Sequence, residues 1–264
     1  ETTMKNKLAS LAGAFALAGA GVEAKAADMG IGSRGPTSYQ FDQRVSYSDR
    51  ELNGNRTQAS TGNSIFKYWN GNEKGIWAFL NVPFREVSNN SGKSSGLGDV
   101  SLGIGPRGRI DLGENGNLYL LSYVGLNLPT GDVDKRPALG NGRLDKKVGL
   151  FSTYSTSDKR FGLDISLEYN FTGENNLGVK PSDELSAGMI VSGKISDKWK
   201  FGTGAVGTMK QYGKNDGDHQ LSLRGILRYD HSKKWHSVFI LDKDVSTRNM
   251  PSGFNTTALI RYNF

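Results

Sequence analysis

From Phe161 onward every second residue is apolar: Phe161, Leu163, Ile165, Leu167, Tyr169 and Phe171, with Gly162, Asp164, Ser166, Glu168 and Asn170 between them. A period of two places these sets on opposite faces of an extended strand. The last segment repeats the pattern, Phe254, Thr256, Ala258, Ile260, Tyr262 and Phe264 alternating with Asn255, Thr257, Leu259, Arg261 and Asn263. A strand with one apolar face packs on a second sheet or meets hydrocarbon. Length separates the two cases. The segments run to roughly ten residues, the reach a tilted strand needs to cross a bilayer, and aromatics mark their ends at Phe161, Phe171, Trp199, Trp235 and Tyr262.

The same reading along the chain gives about twelve strands, at 38–47, 63–69, 76–87, 97–110, 118–128, 147–155, 160–171, 183–195, 198–212, 220–229, 235–245 and 254–264. The second, sixth and eleventh carry the weakest pattern; Val238-Phe239-Ile240-Leu241 is apolar on both faces and leaves its register open. Tight links with turn chemistry fall at Asn70-Gly71-Asn72, Glu114-Asn115-Gly116, Ser157-Asp158-Lys159, Ser196-Asp197 and His231-Ser232-Lys233. They alternate with longer polar stretches at 53–62, 88–96, 129–146, 172–182, 211–219 and 246–253. An even strand number with short links at one end and long loops at the other predicts an all-β fold, a closed antiparallel transmembrane β-barrel of the Gram-negative outer membrane. Closure leaves no sheet edge for lipid to solvate.

Residues 1–26 read as an overhang followed by a secretory signal. Lys5 and Lys7 precede a small-residue apolar run over 8–22 and an A-x-A cleavage site at Ala24-Lys25-Ala26, so the barrel domain is expected over 27–264 after Sec export. The rival is a membrane-anchoring helix, for which the run is short. Mean hydropathy of −0.49 suits a barrel, in which only alternate residues need be apolar. No cysteine is present, which excludes disulfides and thiolate metal sites. Thirty-five glycines without a G-x-y period suit turns and small inward positions. The formal charge of +7 comes from scattered residues, fitting anionic lipid headgroups or an anionic solute better than nucleic acid.

With these registers Asp42, Arg44, Arg85, Asp99, Arg107, Arg109, Asp164, Glu168, Arg224, Arg228 and Arg261 point into the lumen. They either steer polar solutes or pair across the interior and fill it. The stretch 129–146 carries Asp132, Asp134, Lys135, Arg136, Arg143, Asp145 and Lys146, and would fold inward as a constriction, touch lipopolysaccharide phosphates or stay solvated. Asp132-Val133-Asp134 is too short for a calcium loop, and neither a metal nor a cofactor site is expected. Lipid hydrolysis requires a histidine beside a serine. His231-Ser232 and His236-Ser237 are adjacent, hence on opposite faces of a strand; His219 and Ser222 also face opposite ways, and His231 reads as a turn residue. No histidine-x-serine pattern is present.

Two stretches carry a family resemblance: Gly96-Leu97-Gly98-Asp99-Val100-Ser101-Leu102-Gly103 and Gly125-Leu126-Asn127-Leu128-Pro129-Thr130-Gly131-Asp132. They resemble the "GLGD" strand opening and "LPTGD" strand exit of outer-membrane proteins grouped as the putative meta-pathway of phenol degradation family, over about 38–264. In structural terms Gly96 and Gly98 would permit a tight start to the fourth strand and Pro129 would end the fifth. What the resemblance implies is passage of small, often aromatic compounds across the outer membrane, with no catalytic motif to carry over. The expected function is therefore a passive outer-membrane channel for small solutes; the alternatives are a plugged structural or adhesion-type barrel and a phospholipase-type barrel. Expected partners are outer-membrane lipid, lipopolysaccharide, the solute and the barrel assembly machinery, which a terminal Tyr262–Phe264 aromatic pattern would address.

Overall fold

The computed structural model describes residues 38–70, 74–174, 178, 180–212 and 217–264. The expected signal at 1–26 and the turn residues Gly71 and Asn72 lie outside them. One antiparallel sheet holds β1 (Ser38–Leu52), β2 (Asn55–Trp69), β3 (Lys74–Asn89), β4 (Gly92–Leu97), β5 (Ser101–Asp111), β6 (Asn117–Asn127), β7 (Asp145–Ser155), β8 (Phe161–Phe171), β9 (Asp183–Lys194), β10 (Trp199–Gln211), β11 (His219–Asp230), β12 (Trp235–Arg248) and β13 (Ser252–Asn263). Each strand pairs with its chain neighbours except β4 and β5, which both pair with β3, and β1 pairs with β13 from Gln40↔Asn263 to Glu51↔Ser252, which closes the barrel on its last strand.

The thirteen strands make twelve staves. β5 pairs with the first half of β3, from Lys74↔Gly108 to Asn81↔Ser101, and β4 with its second half, from Phe84↔Leu97 to Asn89↔Gly92. The expected fourth strand at 97–110 is thus one stave broken at Gly98-Asp99-Val100.

Three of the six expected loops are mostly strand. β1 and β2 turn tightly at Asn53 (φ 51°) and Gly54 (φ 78°), and their ladder runs to Leu52↔Asn55. Both central turn residues have positive φ, the geometry an Asn-Gly pair favours in a two-residue hairpin. The stretch 88–96 is likewise a hairpin between β3 and β4, and 246–253 holds the ends of β12 and β13. Beyond the bilayer both faces of a strand meet water, so polar residues replace the alternation while the hydrogen-bond ladder continues. β1, β2 and β3 reach 15, 15 and 16 residues against 11 for β5 to β8, so one side of the wall stands taller. The expected loops at 172–182 and 211–219 lie partly outside the described residues.

Val45, Phe66, Ile104, Val124, Leu150, Leu223, Phe239 and Ile260 form an outer belt, each at least half exposed. A continuous apolar surface of this extent is a face for hydrocarbon. The open register of the eleventh expected strand resolves in the same way: Val238 and Ile240 are buried inside, Phe239 and Leu241 exposed outside. At the end where the termini lie, Tyr39 stacks near Tyr68, Trp199 near Tyr229, and Trp235 near Tyr262 with ring centroids 5.2, 4.7 and 4.6 Å apart. This is the aromatic girdle of a membrane interface.

Candidate functional site in the barrel interior

The inner face is built from charged pairs between neighbouring strands. At the closure seam Arg261 of β13 donates from Nε and Nη2 to Asp42 of β1 at 2.8 and 2.9 Å, and Lys67 of β2 donates to the same carboxylate at 2.9 Å. Both Asp42 and Arg261 are fully buried, with Arg44 buried beside them. One strand pair away, Arg224 forks onto Asp242 at 2.6 and 2.9 Å. Asp244 accepts from Ser222 and Gln220 at 2.6 and 3.0 Å. Below them Arg228 and His236 Nδ1 meet Asp230 at 2.5 and 2.7 Å, and His236 Nε2 lies 2.9 Å from Asn263.

A second pattern crosses the first at mid-strand. On β11 the inward sequence is Arg224, Ile226, Arg228; on β12 it is His236, Val238, Ile240, Asp242; on β13 it is Thr257, Leu259, Arg261. Ile190, Ile226, Val238, Ile240 and Leu259 form one buried apolar cluster. Trp69, Trp77, Tyr119, Leu121, Tyr123 and Phe151, joined by Phe79, form another on β2, β3, β6 and β7. These two separate clusters form the apolar waist of the interior; the first lies between charged residues on β11 to β13, and the second reaches the end of β2 at Trp69.

The aromatic half of the waist depends on small neighbours. Tyr123 stacks on Phe151 with planes 3° apart and centroids at 5.8 Å, and Trp77 meets it edge-on. A Cβ on Gly149 would stand 2.1 Å from the Tyr123 ring, so only glycine fits at that position of β7. The Trp77 indole donates to the Ser122 carbonyl at 2.9 Å. The β5–β6 register sets Pro106 opposite Ser122, and Pro106 has no N–H to offer that carbonyl. Tyr123 donates from its hydroxyl to Glu168, which also accepts from Lys147 at 3.4 Å.

On β8 to β10 small inward residues, Gly162, Ser166, Ser186, Gly188, Ser192, Gly204 and Val206, are interspersed with the buried Asp164, Glu184, Ile190 and Lys210. Of the small residues all but the buried Ser166 are half-buried, whereas the inward residues of β11 to β13 from Gln220 to Arg261 are mainly buried.

At the far end from the termini, residues 128–144 fold inward. Leu139 is fully buried against Ala59 and Val87, which face inward from β2 and β3. Arg143 donates to Asp145 at 2.8 Å, and Gly173 N–H to the same carboxylate at 2.9 Å. Of the three readings open for this stretch, the inward fold is the one observed.

The candidate lumen residues fall as follows. Asp42, Arg44, Arg107, Asp164, Arg224, Arg228 and Arg261 are buried on the inner face. Glu168 is paired as above, and Asp164 accepts from Thr153 at 2.6 Å. The Arg107 and Arg109 guanidinium carbons lie 6.0 and 5.9 Å from the Trp69 and Tyr119 ring centroids, within cation–π range. Arg109 also donates to Asn117 at 2.8 Å, and Arg85 reaches the Leu139 carbonyl at 3.5 Å. Asp99 is the exception, since it sits in the strand break and accepts from the backbone N–H groups of Gly131 and Asn141 at 2.9 and 2.7 Å. Burial pushes its carboxyl up, and those two N–H groups pull it down; the net shift is upward. The ion partners Lys67, Asp230, Asp242 and Asp244 and the aromatic waist went unnamed in the sequence reading, although the two-residue period that gave Arg228 and Arg261 also points them inward.

The histidines sit apart. His231 Nε2 lies 2.8 Å from Ser237 Oγ on the exposed surface, a pair that forms across the β11–β12 turn and not between sequence neighbours. The other ring contact of His231 is the edge of Tyr229. His219 Nε2 is 3.5 Å from Ser246 Oγ, at the limit of a hydrogen bond.

The family model described as "Putative MetA-pathway of phenol degradation" matches residues 36–260. The chain belongs to this family. The phenol-degradation motifs fall at the broken stave and at the exit of β6, and both lie at the far end of the bore. Among solved structures the chain resembles the COG4313 outer membrane channel from Pseudomonas putida F1, at 15% identity and TM-score 0.75, over 90% of this chain and 100% of that one. It also resembles the translocator domain of autotransporter NalP from Neisseria meningitidis, at 16% identity and TM-score 0.55, over 98% of both chains. A third likeness is to the NanC porin, at 12% identity and TM-score 0.50, over 84% of this chain and 98% of that one. At these identities the likeness is one of fold, the closed antiparallel barrel of outer-membrane proteins. No curated protein matches the sequence.

Proposed function

We propose that this chain is a passive outer-membrane channel for small solutes with an uncharged, apolar or aromatic part, working without cofactor or energy input. The observation that carries this reading is the apolar waist of the interior, flanked on β11 to β13 by charged pairs. Desolvation makes an apolar ring unfavourable for a bare ion and tolerable for a solute with apolar surface. The charged groups flanking it are largely paired, so they do not hold a solute tightly. The COG4313 protein is named an outer membrane channel, and family membership points the same way. Asp42, Arg44, Arg107, Asp164, Glu168, Arg224, Arg228 and Arg261 line the path in this reading, with Arg85 and Asp99 at its mouth and Arg109 at its other end. Sec export, recognition of Tyr262 and Phe264 by the barrel assembly machinery, and contact of the outer rim with lipopolysaccharide belong to the same proposal.

Refolded protein in planar bilayers is expected to give small current steps that a neutral phenol interrupts more often than benzoate does at equal concentration. No current, together with no swelling of liposomes in small sugars, would turn the reading to a plugged barrel, which the packed wall of β11 to β13 favours. Lipid hydrolysis that disappears when His219, His231 and His236 are all replaced would turn it to an enzyme.

A further inference from the structure

We propose that Asp99 is a positioning residue that ties residues 128–144 across the far mouth of the barrel, and so sets how wide that mouth is. The two stretches that carry the family resemblance then form one clasp. This inference rests on the channel reading only for its consequence, the width of the mouth.

The clasp begins where the wall is incomplete. β6 ends at Asn127 and the chain resumes the sheet only at Asp145 of β7, while β4 pairs with β3 alone. At the stave break Gly98 N–H still donates to the Pro83 carbonyl and the Val100 carbonyl still accepts from Leu128, while the second motif takes up the Gly98 carbonyl and the Val100 N–H. Thr130 Oγ1 donates to the Gly98 carbonyl at 2.9 Å and accepts from the Val100 N–H at 2.9 Å. Beside it the Asp99 carboxylate uses both oxygens: Oδ1 takes the Gly131 N–H and Oδ2 the Asn141 N–H. Those two donors stand ten residues apart, at the start and the finish of the loop's excursion. One side chain therefore holds both strands of the loop at its neck, through charge-assisted bonds that are the stronger kind.

The excursion runs along the inside of the taller wall. Leu139 N–H donates to the Asp132 carbonyl at 2.8 Å, folding the segment on itself. Lys135 donates to the Ser95 carbonyl of β4 at 2.6 Å. Leu139 takes the space that a side chain at position 96 would need, since a Cβ on Gly96 would stand 3.0 Å from Leu139 Cδ1. Gly96 is the first residue of the first motif. The motif glycine thus makes room for the loop tip, beyond easing the start of a strand, and the motif aspartate fastens the loop's base.

Limited trypsin digestion of the refolded barrel tests the tie directly. Lys135 is exposed and cleavable, the Arg136–Pro137 bond resists trypsin and Arg143 is buried against Asp145, so the fragment pair from the cut after Lys135 is the one followed. Asp99→Ala is expected to cut after Lys135 at least tenfold faster than wild type, and to show larger single-channel current steps. Asp99→Asn, whose amide oxygen accepts one of the two N–H groups, should fall between. Heat-modifiable gel mobility confirms that each barrel is closed, and Thr130→Val, which removes a different part of the clasp, serves if Asp99→Ala does not fold. Equal cleavage in closed wild-type and Asp99→Ala barrels overturns the proposal. Faster cleavage with unchanged current steps overturns its second half, since the loop would be tied but would not set the opening. Absence of current in wild type and variants alike removes the channel reading instead, and the cleavage rates still decide whether Asp99 holds the loop.

Discussion

Replacing Arg261 with Met probes the seam at which the barrel closes. Asp42 has no solvent contact and holds Arg261 through two bonds of 2.8 and 2.9 Å, with Lys67 as a further cation at 2.9 Å. Removing one member of a buried ion pair costs about 3–5 kcal/mol, because the other charge stays desolvated and uncompensated. Lys67 remains beside Asp42 in the variant, which places the expected loss near the low end, about 3 kcal/mol, or over a hundredfold in the unfolding equilibrium. Adding Asp42→Asn removes the stranded charge, and the double variant should regain about 1–2 kcal/mol relative to Arg261→Met. Urea unfolding from phospholipid vesicles reads this through tryptophan fluorescence, since Trp69, Trp77, Trp199 and Trp235 all lie on strands. The denaturant slope should not change, as both variants bury the same surface. If Arg261→Met lies within about 0.5 kcal/mol of wild type, or if the double variant equals the sum of the singles, the seam is not held by this pair.

Ile165→Arg, on the outer face of β8, should lower folding yield into vesicles and cost about 2–4 kcal/mol if the side chain sits at mid-bilayer; Ser166→Arg, one residue on and inward, should change solute flux instead, and equal insertion defects would undo the facing assignment. Gly149→Ala places a methyl 2.1 Å from the Tyr123 ring and should cost about 1–3 kcal/mol through overpacking, with loss of near-ultraviolet dichroism from the Tyr123–Phe151 stack; an unchanged spectrum and midpoint would contradict it. Asp158, in the exposed β7–β8 turn, is held below the usual aspartate range by the Thr156 hydroxyl and then by the Arg160 N–H. A carboxyl lowered in the folded state stabilises above its unfolded pKa and loses that contribution as pH falls through the lowered value. Protection factors of the amides at 156–161, which correct for the base-catalysed intrinsic rate, should therefore fall only in acid, and a fall above neutrality would refute the assignment.

The barrel was legible in the sequence because lipid writes a rule on one face: in β8 every outward residue obeys it, and in β13 all but Ser252 and Thr256 do, so length and facing follow. The rule stops where lipid stops. Residues 55–62 of β2 carry Thr57, Gln58, Ser60 and Thr61 and no apolar outward residue, so they read as a loop although the ladder continues through them, and Asn53-Gly54 was the overlooked signal of a hairpin. The inward charges were readable as residues but not as pairs. Arg261 meets Asp42 across 219 positions of chain, and only closure of the sheet makes them neighbours. Asp99 read as an inward strand position, because nothing local marks Gly98-Asp99-Val100 as a break; its meaning lies in Gly131 and Asn141, which the loop brings back.

The two faces of each strand answer to different constraints, and that difference decides where function can reside. Outside, any apolar residue of suitable size satisfies hydrocarbon, so the outer face fixes only that the chain spans the membrane. Inside, volume and pairing both matter: arginine–carboxylate pairs fill the wall along β11 to β13, aromatic rings seated on glycine fill it along β3, β6 and β7, and β8 to β10 set glycine and serine beside Ile190 and the Glu184–Lys210 pair. The bore would be widened by trimming the pairs of the filled wall only if the barrel kept its closure, and the Asp42–Arg261 pair stands at that closure. Permeability and stability are therefore drawn from the same inward residues, which makes the mouth, where a loop and not a stave narrows the path, the place where the opening can vary without unsealing the wall.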